Sequence, residues 1–152
     1  MKKYRFNLEP VLNHRRLIEE TLQKDLAILR ISLSDENEKL LTYEESRVKL
    51  LEELQQIQKE GTTTSDILLY LPFIEQVSKD IERQKKRVLE LEKKVEQNLK
   101  DLLEAIKNKK ALQKLKEKAF KTYNQKLIKN EQDFLNEVAV SQFNRRIRPQ
   151  EK

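Results

Sequence analysis

Cysteine and tryptophan are absent from this 152-residue chain, glycine and histidine occur once each, and proline occurs three times. Each shortage excludes something. Without cysteine there is no disulfide, no thiol nucleophile and no thiolate metal ligand. A lone histidine, His14, cannot build a multi-histidine metal site, and it is expected as an exposed helical residue. One glycine cannot serve the turns and bulges of a multi-stranded sheet, which excludes all-β and α/β folds. Nor can it form a phosphate loop or a dinucleotide fingerprint, both of which need several glycines. Long apolar runs are missing too. No stretch approaches the roughly 18–20 apolar residues of a membrane span. Met1-Lys2-Lys3-Tyr4-Arg5 is followed by no apolar run of signal-peptide length. The chain is therefore expected to be soluble and cytoplasmic.

What is present is leucine and charge. Leucine supplies 24 residues, and 38% of the chain is Asp, Glu, Lys or Arg. Such a composition, nearly free of helix breakers, belongs to long helices or a coiled coil. Apolar content of 37% is low for a compact globule and suits a narrow apolar seam.

Two places interrupt a helical reading. At the start, residues 1–8 are basic and aromatic, and Pro10 suits the first turn of a helix, where its missing N–H is no loss. The second break is Gly61-Thr62-Thr63-Thr64-Ser65-Asp66. Gly61 fits the left-handed position after a helix end, and Ser65 or Asp66 can cap the next helix. Pro72 either sits within the early turns of that helix or separates a short helix from a long one. Pro149 marks a frayed end. The expected layout is a single domain over residues 1–152, with a helix over about 10–60, a turn at 61–66 and a helix over about 66–147.

Between the breaks, apolar residues recur in alternating steps of three and four. The first series runs Leu26, Leu29, Leu33, Glu36, Leu40, Tyr43, Arg47, Leu50, Leu54 and Ile57. Upstream, Leu8, Val11, Ile18 and Leu22 join it through a stutter. The second series runs Ile67, Tyr70, Ile74, Val77, Ile81, Gln84, Val88, Leu91 and Val95. It continues as a drifting stripe through Leu99, Leu102, Ile106, Leu112, Leu115, Ala119, Tyr123, Leu127, Phe134 and Val138. Sustained heptads on both arms specify a coiled-coil seam. Two long helices joined by about six residues run antiparallel. The fold class is all-α, a long antiparallel two-helix coiled-coil hairpin, expected to be monomeric. Pairing outward from the turn sets residue 57 near 70 and residue 9 near 118–120, with the end of the second helix overhanging. Glu36, Arg47 and Gln84 interrupt the seams, either to fix register or with their stems snorkelling to water.

Charge is unevenly spread. Residues 1–60 carry 11 basic and 12 acidic groups, whereas residues 61–152 carry 21 and 14. Residues 100–130 alone hold ten lysines against Asp101, Glu104 and Glu117. This is a solvated face or a contact for an acidic partner. Nucleic acid is not expected as a partner, because the stretch is all lysine with little interleaved aromatic character. General acid–base or nucleophilic chemistry needs a pocket that desolvates its groups, and a two-helix seam offers none. No catalytic residue, cofactor site or metal site is assigned. Tyr43, Tyr70, Phe73 and Tyr123 lie on or beside the stripe, where core packing competes with a role as binding anchors.

The opening Tyr4-Arg5-Phe6-Asn7-Leu8-Glu9-Pro10-Val11-Leu12, with Arg15-Arg16 and Glu19-Glu20, resembles the start of the FliJ family, coiled-coil proteins of the flagellar type III export apparatus. The stretch Lys109-Lys110-Ala111-Leu112-Gln113-Lys114-Leu115-Lys116-Glu117-Lys118 is similar to that family's second signature. Glu131-Gln132-Asp133-Phe134-Leu135-Asn136-Glu137 resembles its acidic C-terminal segment. Gln113, Asp133 and Asn136 depart from the family's usual residues. The stalk proteins of virulence secretion systems share the N-terminal pattern and the Thr-Ser-Asp turn.

This resemblance implies a non-enzymatic role and a fold like the stalk of a rotary ATPase. The implied partners are the export ATPase and its regulator, a membrane protein of the export gate, and export chaperones. Membrane association would be indirect, at the cytoplasmic face of the inner membrane, and the process would be flagellum assembly, motility and so chemotaxis. The implied ATPase-contact residues are Arg5, Arg15, Arg16, Lys109, Lys110 and Lys114. Tyr43, Tyr70 and Phe73, near the turn, are the candidate gate contacts. A virulence-system stalk and a generic coiled-coil spacer remain the alternatives.

Overall fold

The computed structural model describes residues 4–61 and 63–147, so Lys2, Lys3, Thr62 and Pro149 lie outside the described residues. Two helices, α1 (Glu9–Lys59) and α2 (Thr64–Ile147), pack against each other as an all-α helical hairpin. There is no strand among the described residues, and no helix is long and apolar enough to cross a membrane.

Helix α1 begins where Glu9 N–H reaches the Phe6 carbonyl at 3.1 Å and Leu12 N–H reaches Leu8 at 2.9 Å. Pro10 sits inside this first turn, whose N–H groups have no helical acceptor in any case. At the far end Gly61 takes φ 78°, the left-handed region that ends the helix. The next cap is Thr63, rather than Ser65 or Asp66. Its carbonyl accepts Asp66 N–H at 3.1 Å and Ile67 N–H at 3.4 Å, and its hydroxyl donates to Asp66 Oδ2 at 3.2 Å. Thr63 and Asp66, the acidic residue in the third helical position, are thus tied to each other by both backbone and side chain at the start of α2. Helix α2 starts earlier than expected for that reason. Pro72 does not divide it: α2 is continuous through Pro72, although the ring removes one helical hydrogen bond.

Two compact units can be distinguished. The first comprises residues 19–104. There every position of the series 26–57 on α1 and of the series 67–95 on α2 is buried or half-buried. Leu26, Ile81, Val88 and Leu102 are buried, Ile81 to 1% exposure. Gln84 is buried among them at 2% exposure. Its Nε2 donates to the Glu36 carbonyl at 2.8 Å and to the Glu36 carboxylate. The two polar interruptions therefore satisfy each other across the seam. A buried amide with no partner would be destabilising, so this pair fixes which turn of α1 faces which turn of α2. Lys39 adds a 3.5 Å ion pair to the same carboxylate.

The second unit comprises residues 1–18 and 105–152. Its core is Leu12, with no exposed surface, and Ala105. Leu8 and Val11, expected on the seam, are exposed. The reason is helical geometry: Leu12, not Val11, lies a whole number of heptads from Leu26. On α2 the expected drifting stripe is corrected in part. Leu102, Ile106, Leu112, Ala119, Tyr123 and Leu127 are covered as expected, Asn98, Ala105, Lys109 and Lys116 are covered as well, and Leu99, Leu115, Phe134 and Val138 are exposed. Glu9 meets Lys116 at 2.8 Å, close to the expected pairing with 118–120. From 131 to 147 every residue is exposed.

A fully covered seam residue and an exposed leucine should differ sharply in urea unfolding followed by circular dichroism. Ile81→Ala is expected to cost about 2–5 kcal/mol, and Leu69→Ala, at a position 66% exposed, no more than about 0.5 kcal/mol. Equal costs would mean that the seam does not carry the stability.

The Gln84 hydrogen bond holds the Glu36 carboxyl below its ordinary value, with Lys39 and Arg87 acting in the same sense and burial opposing them. A folded-state value below the unfolded one stabilises at every pH above the ordinary carboxylate range, and that contribution fades as pH falls through the folded value. Glu36→Gln, which cannot titrate, should therefore lose less stability than the wild type between about pH 7 and pH 3. Identical acid losses in thermal melts would show that Glu36 is not coupled to folding.

Candidate functional site

The chemistry of this chain lies on helix faces. Among the described residues no group of three or more His, Cys, Asp or Glu side chains could hold a metal ion. The two units differ most in charge. Residues 1–18 and 105–152 hold 18 basic and 6 acidic side chains, a net of +12, whereas residues 19–104 hold 14 and 20, a net of −6. The chain total of +6 conceals this separation.

All six expected ATPase-contact residues fall in the basic unit. Arg15, Arg16 and Lys109 are half-buried beside the seam, and Arg5, Lys110 and Lys114 are exposed. The structure does not gather the six on one face. At about 100° per residue, Lys110 and Lys114 point away from the covered positions Leu112, Lys116 and Ala119, and so away from α1. Arg15 and Arg16 flank Leu12, on the α1 side of the seam. Arg16 Nη1 donates to Asn13 Oδ1 at 3.3 Å, which orients the guanidinium along its own helix.

The best-defined feature of this unit was not singled out from the sequence. Tyr4, ahead of α1, packs its ring on two aromatics of α2. It meets Phe120 edge-on at 5.5 Å and 61°, and Tyr123 at 5.1 Å and 39°. Such pairs prefer tilted and edge contacts because ring faces are negative and ring edges positive. Together with the Glu9–Lys116 ion pair, the cluster fastens the segment before α1 onto α2. Beside it, Tyr4, Arg16, Gln113, Lys116, Glu117 and Phe120 line a shallow groove. The groove sets two aromatic rings beside Arg16, the Glu117 carboxylate and Lys116, the last already paired with Glu9. The sequence signal was available: Phe120 and Tyr123 stand three apart, the spacing that puts two side chains on one helix face.

The expected gate contacts all fall in the acidic unit. Tyr43 and Tyr70 are half-buried in the seam, and Phe73 is 64% exposed. Leu68, Leu69 and Leu71 beside it are also exposed. His14 is exposed on α1.

Comparison with known proteins identifies this arrangement. The family model of the flagellar FliJ protein matches residues 4–148. Among solved structures, that of a proposed YscO homolog from Chlamydia trachomatis is similar in fold, with a TM-score of 0.70 and 23% identity, covering 96% of this chain and 100% of that one. No curated protein matches the sequence.

If the tyrosine clasp holds the N-terminal segment, Tyr4→Ala should destabilise the chain by about 0.5–1.5 kcal/mol and speed limited tryptic cleavage after Arg5. Tyr4→Phe keeps the ring contacts and should leave both unchanged. Unaltered cleavage in Tyr4→Ala would show that the segment is held by something else.

Proposed function

The chain belongs to the FliJ family of flagellar proteins, and on that premise we propose that it is a non-catalytic, stalk-like component of the bacterial flagellar protein export apparatus. In this reading it binds the export ATPase and its regulator, contacts a membrane protein of the export gate, and assists the handling of export chaperones. It would act as a peripheral component at the cytoplasmic face of the inner membrane, and flagellum assembly, motility and hence chemotaxis would depend on it. The family match over residues 4–148 carries the reading.

The physical arrangement supports a division of labour between the units. A net of +12 on the unit that holds both termini steers it toward an acidic surface and speeds encounter. In this reading Arg5, Arg15 and Arg16 form the ATPase contact on the α1 side of the seam, with Lys109 at the seam on α2 and Lys110 and Lys114 on the outer arc of α2. Arginine suits a ring of carboxylates because its planar fork can bind two oxygens at once. In the acidic unit, exposed Phe73, together with Tyr43 and Tyr70, supplies the aromatic contact for the gate. Aromatic anchors of this kind dominate the energetics of many interfaces.

A second reading, a stalk protein of a virulence type III secretion system, draws its support from the fold likeness to the proposed YscO homolog. It assigns the same two units and the same chemistry to a different apparatus.

Arg15→Glu combined with Arg16→Glu should weaken binding to the export ATPase by about tenfold or more and abolish any stimulation of its hydrolysis, with helicity by circular dichroism unchanged. Stimulation equal to that of the wild type would remove the basic unit from the ATPase contact.

A further inference from the structure

Past Tyr123, where Tyr4 packs, the covered rows of α2 lose their apolar character. The heptad row of Ala105, Leu112 and Ala119 runs on to Lys126 and Asp133, and the row of Lys116 and Tyr123 runs on to Asn130 and Glu137. A different row takes over. Ile128, Glu131, Leu135, Val138, Gln142 and Arg145 alternate in steps of three and four, and all six are exposed. At about 100° per residue they fall within an arc of about 100°, bordered by Phe134 and Ala139. Phe134 and Leu135 are 65% and 64% exposed. Clustered apolar exposure marks a contact surface, whereas single exposed apolar residues do not. The row also has a polarity. Glu131 stands one heptad before Val138, and Arg145 one heptad after it, with Arg146 alongside. Among the described residues, none of these three charged side chains makes an ion pair within the chain. The whole row belongs to the unit of residues 1–18 and 105–152.

We propose that this row is a self-association face, on which the last turns of α2 pair antiparallel with the same turns of a second copy. Charge decides both the occupant and the direction. Setting Leu135 against Val138 of the second copy, and Val138 against its Leu135, places Glu131 opposite Gln142. Arg145 of the second copy then lies three residues further along, about 4.5 Å, within reach of its long side chain, whose planar fork suits a carboxylate. The same pairing recurs at the other end, because a two-fold contact uses each patch twice. A parallel pairing would set Glu131 on Glu131 and arginine on arginine, and such like-charge contacts oppose binding. A phosphate surface, lipid or nucleic acid, would take the arginines and repel Glu131. A face carrying both signs in reversed order satisfies both ends, and a second copy carries it by construction. Pairing also supports the helix itself, since a helical end that packs on nothing draws little stability from propensity alone. The proposal goes beyond the export reading and does not depend on it, because Arg145 and Arg146 are not among the candidate ATPase contacts.

The row is about 25 Å long, the scale of a weak, reversible interface rather than a permanent one. Sedimentation equilibrium of the full chain tests it. The wild type is expected to show a monomer–dimer equilibrium with a Kd of about 10–100 μM. Leu135→Glu combined with Val138→Glu, at positions exposed in the single chain, should keep its helix content by circular dichroism and stay monomeric. Glu131→Arg alone should weaken the dimer by about tenfold, and so should Arg145→Glu combined with Arg146→Glu. Joining all three reversals in one chain puts acid against base again at both ends. That chain should dimerise within about threefold of the wild type, as should a one-to-one mixture of the two reversed chains. Rescue of this kind separates an antiparallel pair from a parallel one and from a general loss of solubility. A wild type that stays monomeric up to about 500 μM overturns the proposal, whatever else the tail binds. So does a stoichiometry other than two, a dimer retained by Leu135→Glu/Val138→Glu, or a charge loss that the joined reversals do not rescue.

Discussion

Two helices packed side by side can cover only one stripe on each, and every other property of this chain follows from that constraint. The covered stripe must recur at three and four residues, or it winds away from its partner. Within it, few side chains are wholly buried: Leu12 and Ile81 are the large ones. Such a seam cannot enclose a reactive pocket, because every residue it covers lies one layer from water. It can, however, tolerate polar members if they answer each other. Gln84 and Glu36 do so, and their bond ties one turn of α1 to one turn of α2. Leucines alone would permit a slip by one heptad, whereas a slipped register would strand that amide without a partner.

The outer faces, freed from packing, carry the charge. The separation into units of +12 and −6 has no counterpart in the seam and no cause in folding; like charges on one face repel and slightly destabilise their own helix. Their persistence on the surface is what a protein that works by contact requires. The aromatic cluster of Tyr4, Phe120 and Tyr123 serves the same end differently. It holds the segment before α1 against α2.

The seam was legible where apolar residues occupy it. Along residues 26–57 and 67–95 each position expected from the sequence is covered, and even its polar members, Glu36 and Gln84, were identified as interruptions. After residue 95 it was legible in part, at Leu102, Ile106, Leu112, Ala119, Tyr123 and Leu127. There Asn98, Lys109 and Lys116 hold seam positions, while Leu99, Leu103, Leu115 and Phe120 face water. A count of apolar spacing passes over polar seam members and admits exposed leucines. Upstream, Ile18 and Leu22 are half-buried as expected, but the stutter placed the seam on Val11 when the covered residue is Leu12. The candidate basic residues all fall in the basic unit, but the structure does not gather them on one face. Lys110 and Lys114 lie on the face of α2 opposite the covered Leu112, Lys116 and Ala119, and so point away from α1, which carries Arg15 and Arg16.

The sequence by itself determined that this chain would be helical, that it would turn once at Gly61, and that it would have no glycine loop, thiol or histidine cluster with which to do chemistry. Composition and periodicity are local properties, and they suffice for such conclusions. Only the tertiary structure decided that Thr63 caps α2, that Pro72 stays within the helix, that Gln84 meets Glu36, and that Tyr4 closes on Phe120 and Tyr123. Each of these depends on which residues distant in sequence come within a few ångströms, and helical spacing on one strand of the hairpin carries no record of what the other strand places opposite.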